Sequence, residues 1–277
     1  MNEMLLLRGD DSGDWYSYPY AVAMCEAIAS RPWTICFKYT KNIKWLARLR
    51  EEGRLPDNYR IVQSVGGQQD HLIDERYPHA KVFATHEDRI AAGYVDGTES
   101  DIPAIEGVVK IGLVYHGSEN VADLDKGNLT DRGGLTHYGD GRYRVVVPLG
   151  LKNRRNLTFD FDLSDVSGDE LHALVSLKTG NRKVKKTATK ISEKHGIKYR
   201  PASIGLPALA TCPNAKACSG FCYAMQGLYG MPTHAKKRAL LWVVYREAQR
   251  RGVLVDTIGR QLDTIAPRSV KRQLLAA

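Results

Sequence analysis

Residues Met4–Trp15 read MLLLRGDDSGDW. The apolar run is too short for a helix and suits a buried strand. It empties into Arg8, Gly9 and three acids, Asp10, Asp11 and Asp14, set around Ser12-Gly13. A buried strand ending in a polar, glycine-bearing loop is the pattern of the carboxyl edge of a parallel sheet, where α/β folds place their sites. Neighbouring carboxylates can be split in proton affinity into a nucleophile and an acid/base. Asp10, Asp11 and Asp14 are therefore candidate catalytic residues, the alternative being a capping or turn role for Ser12-Gly13-Asp14.

Moving outward, the same rhythm repeats. Tyr20–Ser30 predicts a helix with Ala21, Met24, Cys25 and Ile28 on one face. Trp33–Tyr39 (WTICFKY) predicts a strand ending near Lys38, Thr40 and Lys41. A helix over Ile43–Glu52 stops at Gly53, and a strand over Tyr59–Val65 runs into Gly66-Gly67-Gln68-Gln69. Further strands are expected at Ala80–Thr85 and Val108–Tyr115. Strand, polar loop and helix recur at about 25-residue intervals, which argues for parallel β/α units as in a TIM-like barrel. Gly66, Gly67 and Gln68, with Lys38, are candidate substrate-binding residues, because glycines after a strand let a planar ligand approach the backbone.

The rhythm breaks after residue 117. Arg142–Pro148 and Leu157–Leu163 alternate with the period of strands and predict an inserted antiparallel hairpin. Ser167–Leu177 predicts a helix with a capping box at Ser167 and Glu170. Asn181–His195 predicts a second helix, stopped by Gly196. It carries Arg182, Lys183, Lys185, Lys186 and Lys190, either a solvated face or a phosphate-gripping surface. The domain reading is thus a barrel-like unit of residues 1–117 and 200–277, with 118–199 inserted. Within the insert, Asp131 stands before Gly133-Gly134, where an acid could approach a flat ligand closely.

The other chemistry-bearing stretch follows an apolar run, Ile204–Ala210, expected to be a barrel strand. Cys212, Cys218 and Cys222 lie within eleven residues of a chain with five cysteines in all. Nothing at the N-terminus resembles an export signal, so a reduced, cytoplasmic setting is expected, which favours metal ligation over disulfides. Three thiolates with His234, near the start of a helix expected over Thr233–Arg251, make an accepted zinc set. An iron–sulfur cluster on the three cysteines is the rival reading. No run of eighteen apolar residues occurs, so no membrane span is expected. The formal charge is +9, from 40 Lys+Arg against 31 Asp+Glu. That excess favours a polyanionic partner, nucleic acid above all.

Two resemblances build on these residues. Ser203–Gly230, SIGLPALATCPNAKACSGFCYAMQGLYG, resembles the cysteine stretch of the phage gene-product-eighty-eight family. Ser12-Gly13-Asp14-Trp15, Phe37-Lys38-Tyr39-Thr40 and Ser64-Val65 resemble pieces that follow that stretch in the family. Here they precede it, so the chain looks like a circular permutation, encoded by a phage and acting in a host cytoplasm. The family's order of elements is similar to radical S-adenosylmethionine barrels, although the spacing C-x5-C-x3-C departs from their C-x3-C-x2-C. The second resemblance is to tRNA-guanine transglycosylases and phage relatives that insert 7-deazaguanines into DNA, zinc-bearing TIM barrels with two exchanging aspartates. Thr130-Asp131-Arg132-Gly133-Gly134 resembles their TDSGG motif, with Arg in place of Ser.

These resemblances imply a base-modifying enzyme that exchanges a guanine in DNA for a free 7-deazaguanine base. Asp14, or Asp10 or Asp11, would be the nucleophile and Asp131 would handle the proton. Gly133 and Gly134 would seat the base, and the zinc would be structural. The alternatives are an iron–sulfur enzyme using S-adenosylmethionine and a non-catalytic nucleic-acid-binding protein stapled by zinc.

Overall fold

The computed structural model describes residues 3–115, 132–150, 155–177, 179–216, 222–225 and 227–274. Seven parallel strands form one curled, half-barrel sheet. They are β1 (Glu3–Arg8), β2 (Thr34–Thr40), β3 (Tyr59–Ser64), β4 (His79–Phe83), β5 (Val95–Asp96), β6 (Lys110–Val114) and, late in the chain, β10 (Lys198–Ser203). Their spatial order is β10-β1-β2-β3-β4-β6-β5. The expected parallel β/α units are present, and the sheet stays open, with β10 and β5 at its edges. The first strand of the chain therefore lies inside the sheet, with Leu5 paired to Arg200 on one side and to Thr34 on the other.

Both faces are covered, because alternate residues of a strand point to opposite sides. Leu5, Leu7 and Cys36 face α1 (Tyr18–Ala29) and α2 (Ile43–Glu51) in the larger core. Leu6, Phe37, Val62 and Ile111 face the other way, onto α4 (Ile102–Ile105) and α5 (Arg182–His195). Right-handed crossovers require this arrangement. The chain steps outward from β1 through α1 and α2, then returns through α5 to β10 on the far side. α5 docks Val184, Ala188 and Ile191 on the sheet. Asn181 caps its start by accepting from Val184 N at 3.0 Å, and Gly196, with φ +65°, ends it.

A three-stranded antiparallel sheet, β7 (Gly134–His137), β8 (Arg142–Leu149) and β9 (Arg155–Asp162), packs on the larger core. Tyr143, Val145 and Val147 point inward toward α6 (Pro232–Arg250) and α7 (Leu254–Thr264). The hairpin expected from sequence thus has a third strand, β7, whose four residues are half-buried or exposed and carry no burial alternation. α3 (His86–Ala91) and α8 (Arg268–Leu274) complete the helices.

Two expectations are corrected. The helix expected at Ser167–Leu177 is only a short 3-10 segment, Gly168–Ala173, although its capping box between Ser167 and Glu170 is formed. The strand expected at Ile204–Ala210 is β10 instead, six residues earlier. Its sequence, KYRPAS, looks polar because it is an edge strand, where Pro201 is tolerated. Ile204–Leu206 is buried loop, broken by Gly205 and Pro207. Among the described residues no helix is long and apolar enough to cross a membrane.

Candidate functional site

The carboxyl ends of β10, β1, β2 and β3 meet at one place. The loops leaving β1 and β10 continue the ladder between those strands. Ile204 N donates to Arg8 O at 3.0 Å, Asp11 N to Ile204 O at 2.7 Å, and Leu206 N to Ser12 O at 2.8 Å. Ser12 Oγ donates to Leu206 O at 2.5 Å. Gly13 is fixed by this zipper: its φ is +82°, and a Cβ there would collide with Thr211 Oγ1.

The three acids of this loop take different positions. Asp10 and Asp14 grip Lys38, whose Nζ lies 2.5 Å from Asp10 Oδ2 and 2.9 Å from Asp14 Oδ1. Lys38 is fully buried and lies 4.2 Å from the centroid of the Trp15 ring. Asp14 Oδ1 also accepts from Trp15 N and Thr40 Oγ1, and Asp14 Oδ2 accepts from Lys41 N. Asp10 accepts from Tyr20 OH at 3.0 Å. Burial pushes the Asp10 carboxyl above its ordinary value, with Lys38 pulling the other way. Burial alone would lower the Lys38 ammonium, but Asp10 and Asp14 more than offset it and hold it charged. Asp10, at φ +48°, is one of three non-glycine residues in the left-handed region among those described. Asp10, Asp14 and Lys38 thus form a buried ion cluster beneath the loop.

Asp11 points elsewhere. It is 1% exposed, and its Oδ2 accepts from Tyr229 OH at 3.0 Å. A Cβ on Gly205 would collide with Asp11 Oδ1, so the glycine makes room for this carboxylate. Burial, and then the Asp11 charge, push the Tyr229 hydroxyl up to about 12. Tyr229 also accepts from Asn181 Nδ2 at 3.4 Å. The start of α5 therefore reaches the same edge.

Beside it, Asp101 collects Lys183 at 2.8 Å, Tyr39 OH at 3.1 Å and Arg8 at 3.5 Å. Burial lowers the Lys183 ammonium, with Asp101 opposing. Of the basic residues singled out on α5, Lys183 is therefore engaged inside the protein and Lys186 pairs with Glu99 at 2.5 Å. Arg182, Lys185 and Lys190 are exposed.

Residues 212–215, at the start of the cysteine segment, lie over this edge. Arg132 donates to the carbonyls of Cys212 and Pro213, both at 2.9 Å, and to that of Ala215 at 3.0 Å. Asn214 Nδ2 donates to Asn42 Oδ1 at 2.5 Å, and Asn214 O accepts from Gln68 N at 2.9 Å. Gly66 and Gly67 donate their amides to Asp70, at 2.9 and 2.8 Å. The Gly66–Gln68 loop is thus the shelf on which the cysteine segment rests.

Cys212 and Cys222 flank one small cluster of Ala208, Leu209, Ala215, Ala224 and Met225. His234, half-buried, lies in the first turn of α6. Cys218 and Asp131 lie outside the described residues. Among the described residues no three His, Cys, Asp or Glu side chains converge as a metal site. Cys212 and Cys222 are thus packed against the same cluster, with the backbone of Cys212 held by Arg132. Cys25 and Cys36 are buried, and burial pushes the Cys25 thiol up to about 12, as expected of core cysteines. Gly133 turns the chain into β7, where a Cβ would collide with Val146 O, and Gly134 opens that strand.

Sequence reasoning missed Tyr229, Arg132, Asn214 and Asp101. Only Arg132 left a signal, as the departure from a resembled motif. The family described as Gene product 88 matches residues 2–128 and 175–274, two blocks that leave out β7, β8, β9 and the capping-box segment. No curated protein and no solved structure matches the chain.

Proposed function

Because the chain belongs to the Gene product 88 family of phage proteins, we propose that it is a nucleic-acid-modifying enzyme working at the carboxyl edge of the half-barrel. One observation carries this reading: the cysteine segment, Asp11 with Tyr229, and the start of α5 all converge where the strand connections reverse direction, between β10 and β1. In open α/β sheets that crevice is where ligands bind. In the form we favour, Cys212, Cys218 and Cys222 hold an iron–sulfur cluster. Support comes from the open sheet, and from a cysteine segment that leaves the carboxyl end of its edge strand. When bound, such a cluster would supply one-electron chemistry on S-adenosylmethionine. Asp11 and Tyr229 then position a polar group of substrate or cofactor, and Arg182, Lys185 and Lys190 engage backbone phosphates of DNA.

A second reading, exchange of guanine for a 7-deazaguanine with structural zinc on the cysteines and His234, is supported by the separateness of Asp11. Engaged as they are with Lys38, Asp10 and Asp14 are poorly placed to attack a glycosidic carbon, so Asp11 would take that role. Anaerobic purification separates the two. Iron and acid-labile sulfide in stoichiometric amounts, with S-adenosylmethionine cleaved on reduction, support the first. Stoichiometric zinc, with base exchange abolished in Asp11→Asn, supports the second. Duplex DNA binding with neither activity overturns both in favour of a zinc-stapled binding protein.

A further inference from the structure

The amino edge of the sheet holds a second feature, remote from the cysteine segment. Where β2, β3 and β10 begin, between α4 and the end of α5, a cavity of about 810 Å³ opens to solvent. Ile35, Ile105 and Ile191 give it an aliphatic floor on the α4 and α5 side, Ile61 lines it from the α2 side, and Tyr77 and Tyr199 also line it. Arg50, Arg60 and His195 also face it. Glu106, the one acid among its described lining residues, is held by Lys194 at 2.5 Å.

Among the described residues neither Arg50 nor Arg60 forms an ion pair. Arg60 is exposed at the start of β3, whereas Arg50 is half-buried, its guanidinium 3.9 Å from the centroid of the Tyr77 ring. Burial pulls the Arg50 guanidinium below its ordinary value. Asp74, the carboxylate acting on it, is committed to Arg76 at 2.6 Å. A half-desolvated cation without a carboxylate of its own is costly, and an anionic ligand relieves that cost.

We propose that this cavity binds a small aromatic anion, a ring system carrying one phosphate or carboxylate. The anionic group lies between Arg50 and Arg60. The ring extends the Arg50–Tyr77 stack, since planar guanidinium and phenol groups offer a flat face. The aliphatic floor takes the rest of the ligand out of water. The volume suits a ligand of this class, for which pockets span roughly 300–1,000 Å³. The site does not depend on which chemistry the cysteine segment performs.

The test is calorimetric titration of the full chain with adenosine 5′-monophosphate, inorganic phosphate and dodecanoate in turn. The nucleotide should bind saturably, and Arg60→Glu should weaken it about tenfold or more by placing an acid beside the anion. Arg60 is exposed, so the variant should melt with the wild type, and Arg60→Gln stands in should it not. Nucleotide binding unchanged in either variant places the ligand elsewhere and overturns the proposal, as does no saturable binding. Phosphate binding as tightly as the nucleotide removes the aromatic requirement, and dodecanoate binding in preference replaces the ligand class. Both results overturn the proposal as stated.

Discussion

Lys38 holds two carboxylates together in the core. Replacing it with Met would leave Asp10 and Asp14 buried side by side with no cation between them. Such half-removed buried pairs cost about 3–5 kcal/mol, so Lys38→Met should lower the urea midpoint sharply. Gly13→Ala adds a Cβ against Thr211 at a left-handed backbone position. We expect a loss of about 2 kcal/mol in the same measurement.

Glu247 offers a pH test. Its carboxyl is held at about 2: burial alone would raise it, but hydrogen bonds from Arg250, Tyr143 and Arg251 reverse that. A depressed folded value means that the stabilisation is complete above the ordinary 4.5 and is lost as pH falls toward 2. In Glu247→Gln, stability should therefore fall less steeply with pH across that window, as followed by circular dichroism. At this scale the sequence was only partly legible. The acids of Met4–Trp15 were visible, but which of them would meet Lys38 and which Tyr229 depends on contacts 28 and 218 residues apart.

Among the elements, α5 was the most legible, because its signals are local. Asn181, Gly196 and the apolar spacing of Val184, Ala188 and Ile191 are all read within one segment. Its charges were less legible, since only tertiary placement turns Lys183 toward Asp101 and leaves Lys185 and Lys190 outside. On the DNA-contact reading proposed above, Lys185→Glu with Lys190→Glu should weaken duplex DNA binding about tenfold or more and shallow its salt dependence by roughly two phosphate contacts. Fluorescence anisotropy at several salt concentrations reads both.

The cysteine segment is an element held from without. Arg132 makes three hydrogen bonds to its carbonyls from the approach to β7. On the metal-binding reading proposed above, Arg132→Ala should lower bound metal per chain, measured by elemental analysis, with only a small change in melting. β5, with two residues, and β7, with four, escaped detection because so few residues set no period.

For the whole molecule, the β/α rhythm carried the fold class, because buried parallel strands bounded by polar loops are visible one at a time. Closure was not visible: whether parallel strands end as a full barrel or an open half depends on pairings between distant strands. The displaced edge strand shows the same limit. The apolar run Ile204–Ala210 outweighed KYRPAS as a strand candidate. Burial there comes from loop packing against Ser12, Gly13 and Thr211, not from sheet position.

The interior position of β1 also sets a timetable. One of its two neighbours, β2, leaves the ribosome soon after it, but the other, β10, begins at Lys198. Until then β1 presents an unpaired edge to the cell, and the loop carrying Asp10–Asp14 has nothing to zip against. Long-range parallel pairing of this kind is slow and exposed to aggregation. The protein would therefore gain this edge only after Lys198–Ser203 has been made. Nascent chains halted before residue 198 should be captured by chaperones and digested readily by protease, whereas chains released after the last helix should resist both.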